Sequence, residues 1–169
     1  MSGVSIIDYQ PGHQKYFERF NRAWIERYFE MEALDEFVLT DPQAAIIDPG
    51  GAIIMAQYNG EIAGAVALRK LDGATFEFTK MAVDERFRRR GIAEALSHAS
   101  FLKAKELGAK KVILYSNSVL TGAVKLYEKL GFKHVPMDVV EYKRSDVKMV
   151  IGIEEATRNA EQFCLILKI

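Results

Sequence analysis

Cysteine occurs once, at Cys164, so no disulfide can form within the chain and nothing ties it to an oxidising compartment. No apolar run approaches membrane-spanning length, and Met1 to Gln10 lacks the basic-then-apolar pattern of a secretion signal. These absences predict a cytoplasmic protein with no membrane partner. Charge of one sign is not in excess either: 23 basic and 23 acidic residues cancel to a formal net charge of zero. That balance argues against a protein whose main task is gripping nucleic acid, so any anion site has to be local. Neither Gly-x-x-x-x-Gly-Lys-Ser/Thr nor a strand followed by Gly-x-Gly-x-x-Gly is present. His13, His98 and His134 are far apart and have no ligand-like spacing, so no metal is expected. Repeats, low-complexity stretches and linkers are also missing. A chain of 169 residues with a 49% hydrophobic share then reads as one domain, 1–169.

What is present is a series of short elements. Val4 to Tyr9 is β-prone and stops at Pro11-Gly12. Phe17, Phe20, Trp24, Ile25 and Tyr28 recur at helical spacing and predict a helix from Gln14 to about Met31. Asp41-Pro42 opens a short helix through Ile47. Ala52 to Tyr58 and Ile62 to Leu71 are strands joined by Asn59-Gly60, the dipeptide of a type I′ hairpin. Thr75 to Val83 adds a third antiparallel strand. A helix from Ile92 to Leu107, a strand from Lys111 to Ser116 and a helix from Thr121 to Leu130 follow, each helix closed by glycine. Further strands are expected near Lys133 to Pro136, Val147 to Ile153 and Phe163 to Ile169, with Cys164 a buried structural thiol in the last.

The chemistry concentrates where a strand ends in a basic turn and a helix begins: Met81-Ala82-Val83-Asp84-Glu85-Arg86-Phe87-Arg88-Arg89-Arg90-Gly91-Ile92-Ala93. Unpaired amides at a helix N-terminus carry the positive end of its dipole. Gly91 and Ala93 leave room for a phosphate to approach those amides, and the arginines add charge-assisted hydrogen bonds. The bland alternative is a solvated basic turn before an ordinary helix. A nucleic-acid patch would need aromatic interleaving that the turn lacks.

Arg88-Arg89-Arg90-Gly91-Ile92-Ala93 resembles the Arg/Gln-x-x-Gly-x-Gly/Ala signature of the GNAT superfamily of N-acetyltransferases, and Leu126-Tyr127-Glu128-Lys129-Leu130-Gly131-Phe132 resembles its Leu-Tyr-x-Lys-x-Gly-Phe segment. The order of hairpin, third strand, signature turn, helix, strand and helix is similar as well, over roughly Ala52 to Phe132. The resemblance implies an α/β (α+β) fold: a mixed, mostly antiparallel sheet with helices on both faces, splayed into a CoA groove by a bulge. It implies acetyl-CoA as co-substrate, its pyrophosphate held by the turn Arg88, Arg89, Arg90, Gly91, Ile92 and Ala93. Its pantetheine arm would pair with the strand end Met81, Ala82 and Val83 as an added strand. Amides near Met81 would polarise the thioester carbonyl.

By the same resemblance Tyr127 assists the departing thiolate, and Glu77, within Phe76-Glu77-Phe78, is the general base for the acceptor. An alkyl amine such as a lysine side chain titrates at about 10.4, so it starts out protonated at neutral pH and its proton needs an acceptor. Tyr127 could instead pack in the core beside Ala123 and Leu130, and Glu77 could be an exposed carboxylate or a partner of Lys80 or Lys70. One departure is Leu120, where many members carry a CoA-contacting Asn; Asn117 is the nearest substitute. Glu30, Glu32, Asp35 and Glu36 are candidates to attract a cationic amine, or else lie on the solvated side of a helix and its following turn. The amine acceptor, small molecule or protein, is not named by the sequence, and a homodimer is admitted without being demanded. A non-catalytic acyl-CoA-binding sensor is the competing reading.

Overall fold

Seven strands form one sheet in the computed structural model, which describes residues 3–138 and 141–167. In chain order the elements are β1 (Val4–Asp8), α1 (Gln14–Tyr28), α2 (Ala33–Thr40), β2 (Ala52–Tyr58), β3 (Glu61–Lys70) and β4 (Thr75–Val83). There follow α3 (Ile92–Glu106), β5 (Lys111–Ser116), α4 (Thr121–Leu130), β6 (Lys133–Val135), β7 (Val147–Gly152) and α5 (Ile153–Leu167). The strand order is β1-β2-β3-β4-β5-β7-β6, and every pair is antiparallel except β4 with β5. The mixed sheet with helices on both faces is therefore the fold expected from sequence.

Strand alternation explains the two faces. Along β2, Ile53 and Met55 point to one core, shared with Phe17 and Ile25 of α1 and Val38 and Leu39 of α2. Ile54 and Ala56 point to the other, built from Phe76, Phe78, Leu96, Phe101, Leu114 and Phe132. Phe17, Phe76 and Phe101 are fully buried, each contributing about 1.5–3 kcal/mol of apolar transfer. Gly64 lets α3 lie close to the sheet: a Cβ there would sit 3.0 Å from the Ala82 carbonyl oxygen and 3.1 Å from Leu96 Cδ1.

The hairpin forms as its dipeptide requires, with φ of 49° at Asn59 and 86° at Gly60. Asp41 caps the next turn, its Oδ1 accepting from the Ala44 N–H, but the segment Gln43–Ile47 is a single π-helical turn. Two expectations fail. Helix α1 stops at Tyr28, and α2 follows it, held at its start by Asp35 accepting from the Glu32 N–H at 2.9 Å. The tail is helix α5 and not a final strand at Phe163 to Leu167; Lys168 and Ile169 lie outside the described residues. Ile153, Ala156 and Ala160 recur at helical spacing and bury this helix, which packs against α3. Cys164 is only half-buried on α5, because the end of that helix runs past the core.

Candidate active site

The site exists because two parallel strands part company. β4 and β5 pair only at Thr75–Lys111, Phe76–Val112 and Glu77–Ile113. The cause is a bulge: Ala65 faces Ala82 but Ala67 faces Thr79, so Lys80 and Met81 together oppose Val66. An extra residue bends its strand and strengthens the twist. Lys80 takes the left-handed turn of the bulge with φ 55°, a conformation that costs a non-glycine residue roughly 1 kcal/mol or more. β5 stays straight because its other edge pairs with β7 along its whole length, Lys111 to Ser116. Between the two strands opens a groove of about 460 Å³, and the groove-side edge of β4 past Glu77 has no strand partner among the described residues.

At one end lies the arginine turn. Asp84 accepts from the Arg86 N–H and fixes a 3-10 turn at Glu85–Phe87. Arg89 and Gly91 then take positive φ, 60° and 76°. Gly91 precedes α3, which has no side-chain cap, and no backbone N–H from Arg89 to Glu94 has an acceptor among the described residues. A run of open amides at a helix start, interrupted by left-handed residues, is a concave anion receptor. Within the protein itself Gly91 is required by its φ and not by crowding, since a Cβ there would meet nothing within 4 Å among the described residues. Ile92 sends its side chain into the core at 2% exposure, so only its amide serves the turn. Arg88 and Arg86 line the groove, and Arg90 stacks over the Tyr58 ring.

Both catalytic candidates line the groove. Tyr127 is set edge-on against Phe78 and Phe132, with centroids 5.8 and 6.0 Å away, and its hydroxyl has no hydrogen-bond partner among the described residues. Burial pushes its pKa up to about 12. Glu77 is 3% exposed, so the reading as an exposed carboxylate fails, and its salt-bridge partner is Arg69 at 3.3 Å, not Lys80 or Lys70. Arg69 in turn takes Glu141 bidentately at 2.8 and 3.0 Å. Burial raises the Glu77 pKa, against the opposing pull of Lys80 and Arg69.

The side of the groove near Tyr142 and Arg144 holds a network that sequence reasoning missed. Lys80 Nζ, 2% exposed, lies 3.0 Å from Asp35 Oδ1, donates to the Tyr142 hydroxyl at 3.0 Å and sits over the Tyr142 ring. Arg144 donates to both Asp35 oxygens at 2.7 Å. Asp35 is fully buried; burial alone would raise its pKa, but Arg144, Lys80 and the Glu32 N–H outweigh that and lower it to about 2. Asp35 is thus neither on a solvated face nor a bait for a cationic amine. Glu32 reaches Arg144 and the Lys143 N–H, and Glu36 is held bidentately by Arg22. A lysine in a strand and an acid in the first turn of α2 give no local hint of this pairing; the bulge turns Lys80 toward it.

Asn117 lines the groove, but its side chain is occupied: Nδ2 donates to the Arg144 carbonyl at 2.6 Å and Oδ1 accepts from the Val119 N–H. It therefore fastens the loop that carries Arg144. Among the described residues no cluster of three or more His, Cys, Asp or Glu is placed to hold a metal ion, and no helix is long and apolar enough to cross a membrane.

Fold and site together define a CoA-dependent acyltransferase type, and the comparisons agree. The sequence pattern described as "Acetyltransferase (GNAT) family" matches residues 14–132, and the chain belongs to that family. Human N-acetylaspartate synthetase is 35% identical over 117 residues, covering 69% of this chain and 38% of the relative. The chain therefore spans well under half of that relative. A GNAT-family acetyltransferase from Staphylococcus aureus superposes with a TM-score of 0.80 at 18% identity, covering 89% of this chain and 99% of that one. The protein yncA from Salmonella typhimurium, solved with its cofactor acetyl-CoA, gives 0.71 at 15% identity, covering 89% and 94%.

Proposed function

We propose that this acetyltransferase moves the acetyl group of acetyl-CoA to a primary amine by direct attack, with both substrates bound in the groove. The observation that carries this reading is a groove with Glu77 and Tyr127 on its walls whose lining runs as far as Arg88, next in sequence to the open amides of Arg89 to Glu94. The CoA pyrophosphate sits on those amides, with Arg88 beside it. The two pantetheine amides pair with the free edge of β4 at Met81 and Val83, as an added strand would. Backbone N–H groups near Met81 face the thioester carbonyl and stabilise the oxyanion.

The amine nitrogen attacks the carbonyl carbon, the carbon–sulfur bond breaks, and the thiolate leaves. Glu77, directly or through one water, takes the amine's proton; its raised pKa makes it a better base than an ordinary carboxylate. Tyr127 meets the thiolate. A phenol at about 12 facing a thiol near 8.5 is about 3.5 pH units short for full transfer, roughly 5 kcal/mol uphill. Its part is therefore to donate a hydrogen bond to the sulfur, with the proton finally supplied from solvent. The test is release of free thiol from acetyl-CoA by the purified protein across a panel of amines. Amine-dependent release with an N-acetylated product supports the reading; acetyl-CoA binding with no release for any amine would support the non-catalytic sensor instead.

A further inference from the structure

Arg144 does more than neutralise Asp35. A guanidinium has five N–H donors. Nη1 is used on Asp35 and Glu32, and one N–H of Nη2 on the other Asp35 oxygen. The remaining Nη2 N–H and the Nε N–H have no acceptor among the described residues. They are parallel neighbours on one edge of the guanidinium, the geometry that takes a carboxylate bidentately. Arg144 lines the groove with a side chain only 11% exposed.

The guanidinium is also held in place. Its plane is framed by Tyr142, Trp24 and Phe29, with centroids 4.7, 5.8 and 5.8 Å away. Its backbone is tied to Asn117, and the next residue but one is tied to the end of β5, where the Asp146 N–H donates to the Ser116 carbonyl. The charges of Lys80 and Arg144 are balanced by Asp35 and Glu32, so the pull on an anion comes from the open donor pair itself. Asp35 does not line the groove, Glu32 is turned to Arg144 and the Lys143 amide, and Glu36 is bound by Arg22. The carboxylate left facing the groove here is Glu77, whose charge is met by Arg69 at 3.3 Å.

We propose that the free edge of Arg144 binds the carboxylate of the acceptor, so that the acceptor is an amino acid or a similar carboxylate-bearing amine. The carboxylate anchors the molecule at the aromatic frame and aims its amine at Glu77. This inference rests on the acetyl-transfer reading above, and a polycationic amine is the substrate class it excludes.

The experiment compares L-aspartate, L-glutamate, L-alanine and L-methionine with their α-amides, their decarboxylated amines and spermidine in the thiol-release assay. At least one amino acid should exceed its amide and its decarboxylated amine in kcat/KM by about 10- to 100-fold, the value of a charge-assisted pair. R144K keeps a cation beside Asp35 but loses the fork, and should raise acceptor KM more than it lowers kcat, with the acetyl-CoA Kd unchanged. R144Q, which leaves Asp35 paired with Lys80, gives the same KM readout if R144K does not fold. Equal use of amino acid and amide, or preference for spermidine, overturns the proposal. Where no amine releases thiol, the acetyl-transfer reading falls by itself. Calorimetry of the same amino acids and amides on the CoA-loaded protein then decides the carboxylate site: selective binding supports it, and absence of binding overturns it.

Discussion

Asp35→Asn tests the account where it is most exposed to failure, in the buried network beneath the acceptor end. Asp35 holds Lys80 at 3.0 Å and Arg144 at 2.7 Å with no solvent exposure. Its pKa of about 2 against about 3.9 in an unfolded chain is worth roughly 2.6 kcal/mol near neutral pH. The substitution costs more than that, because two cations are left facing an amide: about 3–5 kcal/mol for breaking a buried pair. For a domain of this size that is about 6–20 °C in Tm. The sign of the pH dependence follows from the lowered pKa. The Asp35 contribution is fully present above about pH 4 and is lost as pH falls through 4 toward 2. Urea unfolding of wild type and D35N at pH 7, 4 and 3 reads both effects, and the gap between the two proteins should narrow as pH drops. A gap within about 1 kcal/mol at pH 7 that does not change with pH would mean that Asp35 does not hold the two cations as an ionised partner.

Four further outcomes are expected. Tyr127→Phe should lower turnover about 10-fold or more while leaving the acetyl-CoA Kd within a factor of about two, since a hydrogen bond to charge is worth about 1.5–3 kcal/mol; calorimetry beside the thiol assay checks both. Glu77→Gln should lower kcat by about 10²–10⁴-fold. Because Glu77 is raised by burial, wild-type activity should rise with pH on an acid limb above the ordinary carboxylate range, and a pH profile of E77Q should lack that limb. Gly91→Ala should lower stability by about 1–2 kcal/mol, the left-handed penalty at φ 76°, and weaken acetyl-CoA more than S-acetylpantetheine in calorimetry. His98 is buried with Nδ1 unpartnered among the described residues, and burial lowers its pKa. Its contribution to stability is therefore present above about pH 6.5 and lost as pH falls below it; His98→Leu should remove that part of the slope in unfolding at pH 5 to 7.

Most of the architecture is legible in the sequence because it is written locally. Asn59-Gly60, Gly91 and Gly131 each sit where the backbone turns left-handed, and β4, β5 and α4 fall on their expected residues. The end of α5 misleads because Phe163 to Leu167 carries strand-like residues, while the pattern that decides it, Ile153, Ala156 and Ala160, lies upstream. Helix α2 escapes notice because its cap is Glu32 with Asp35, an uncommon start. At the site, the turn and the groove are legible, and Glu77 and Tyr127 do reach the same groove. The acceptor end is not. Lys80, Asp35, Tyr142 and Arg144 are joined by long-range contacts, and the bulge that aims Lys80 inward leaves no mark on residue order.

The proposed function requires the groove to hold acetyl-CoA by its pyrophosphate and to deliver its acetyl group to an amine. Calorimetry of the purified protein with acetyl-CoA beside S-acetylpantetheine, which keeps the thioester arm and lacks the pyrophosphate, tests it most directly. Saturable acetyl-CoA binding that weakens at least 10-fold when the pyrophosphate is missing is the expected result. Equal affinity for both would contradict the amide receptor at Arg89 to Glu94, and no binding at millimolar acetyl-CoA would contradict the acetyl-transfer reading as a whole.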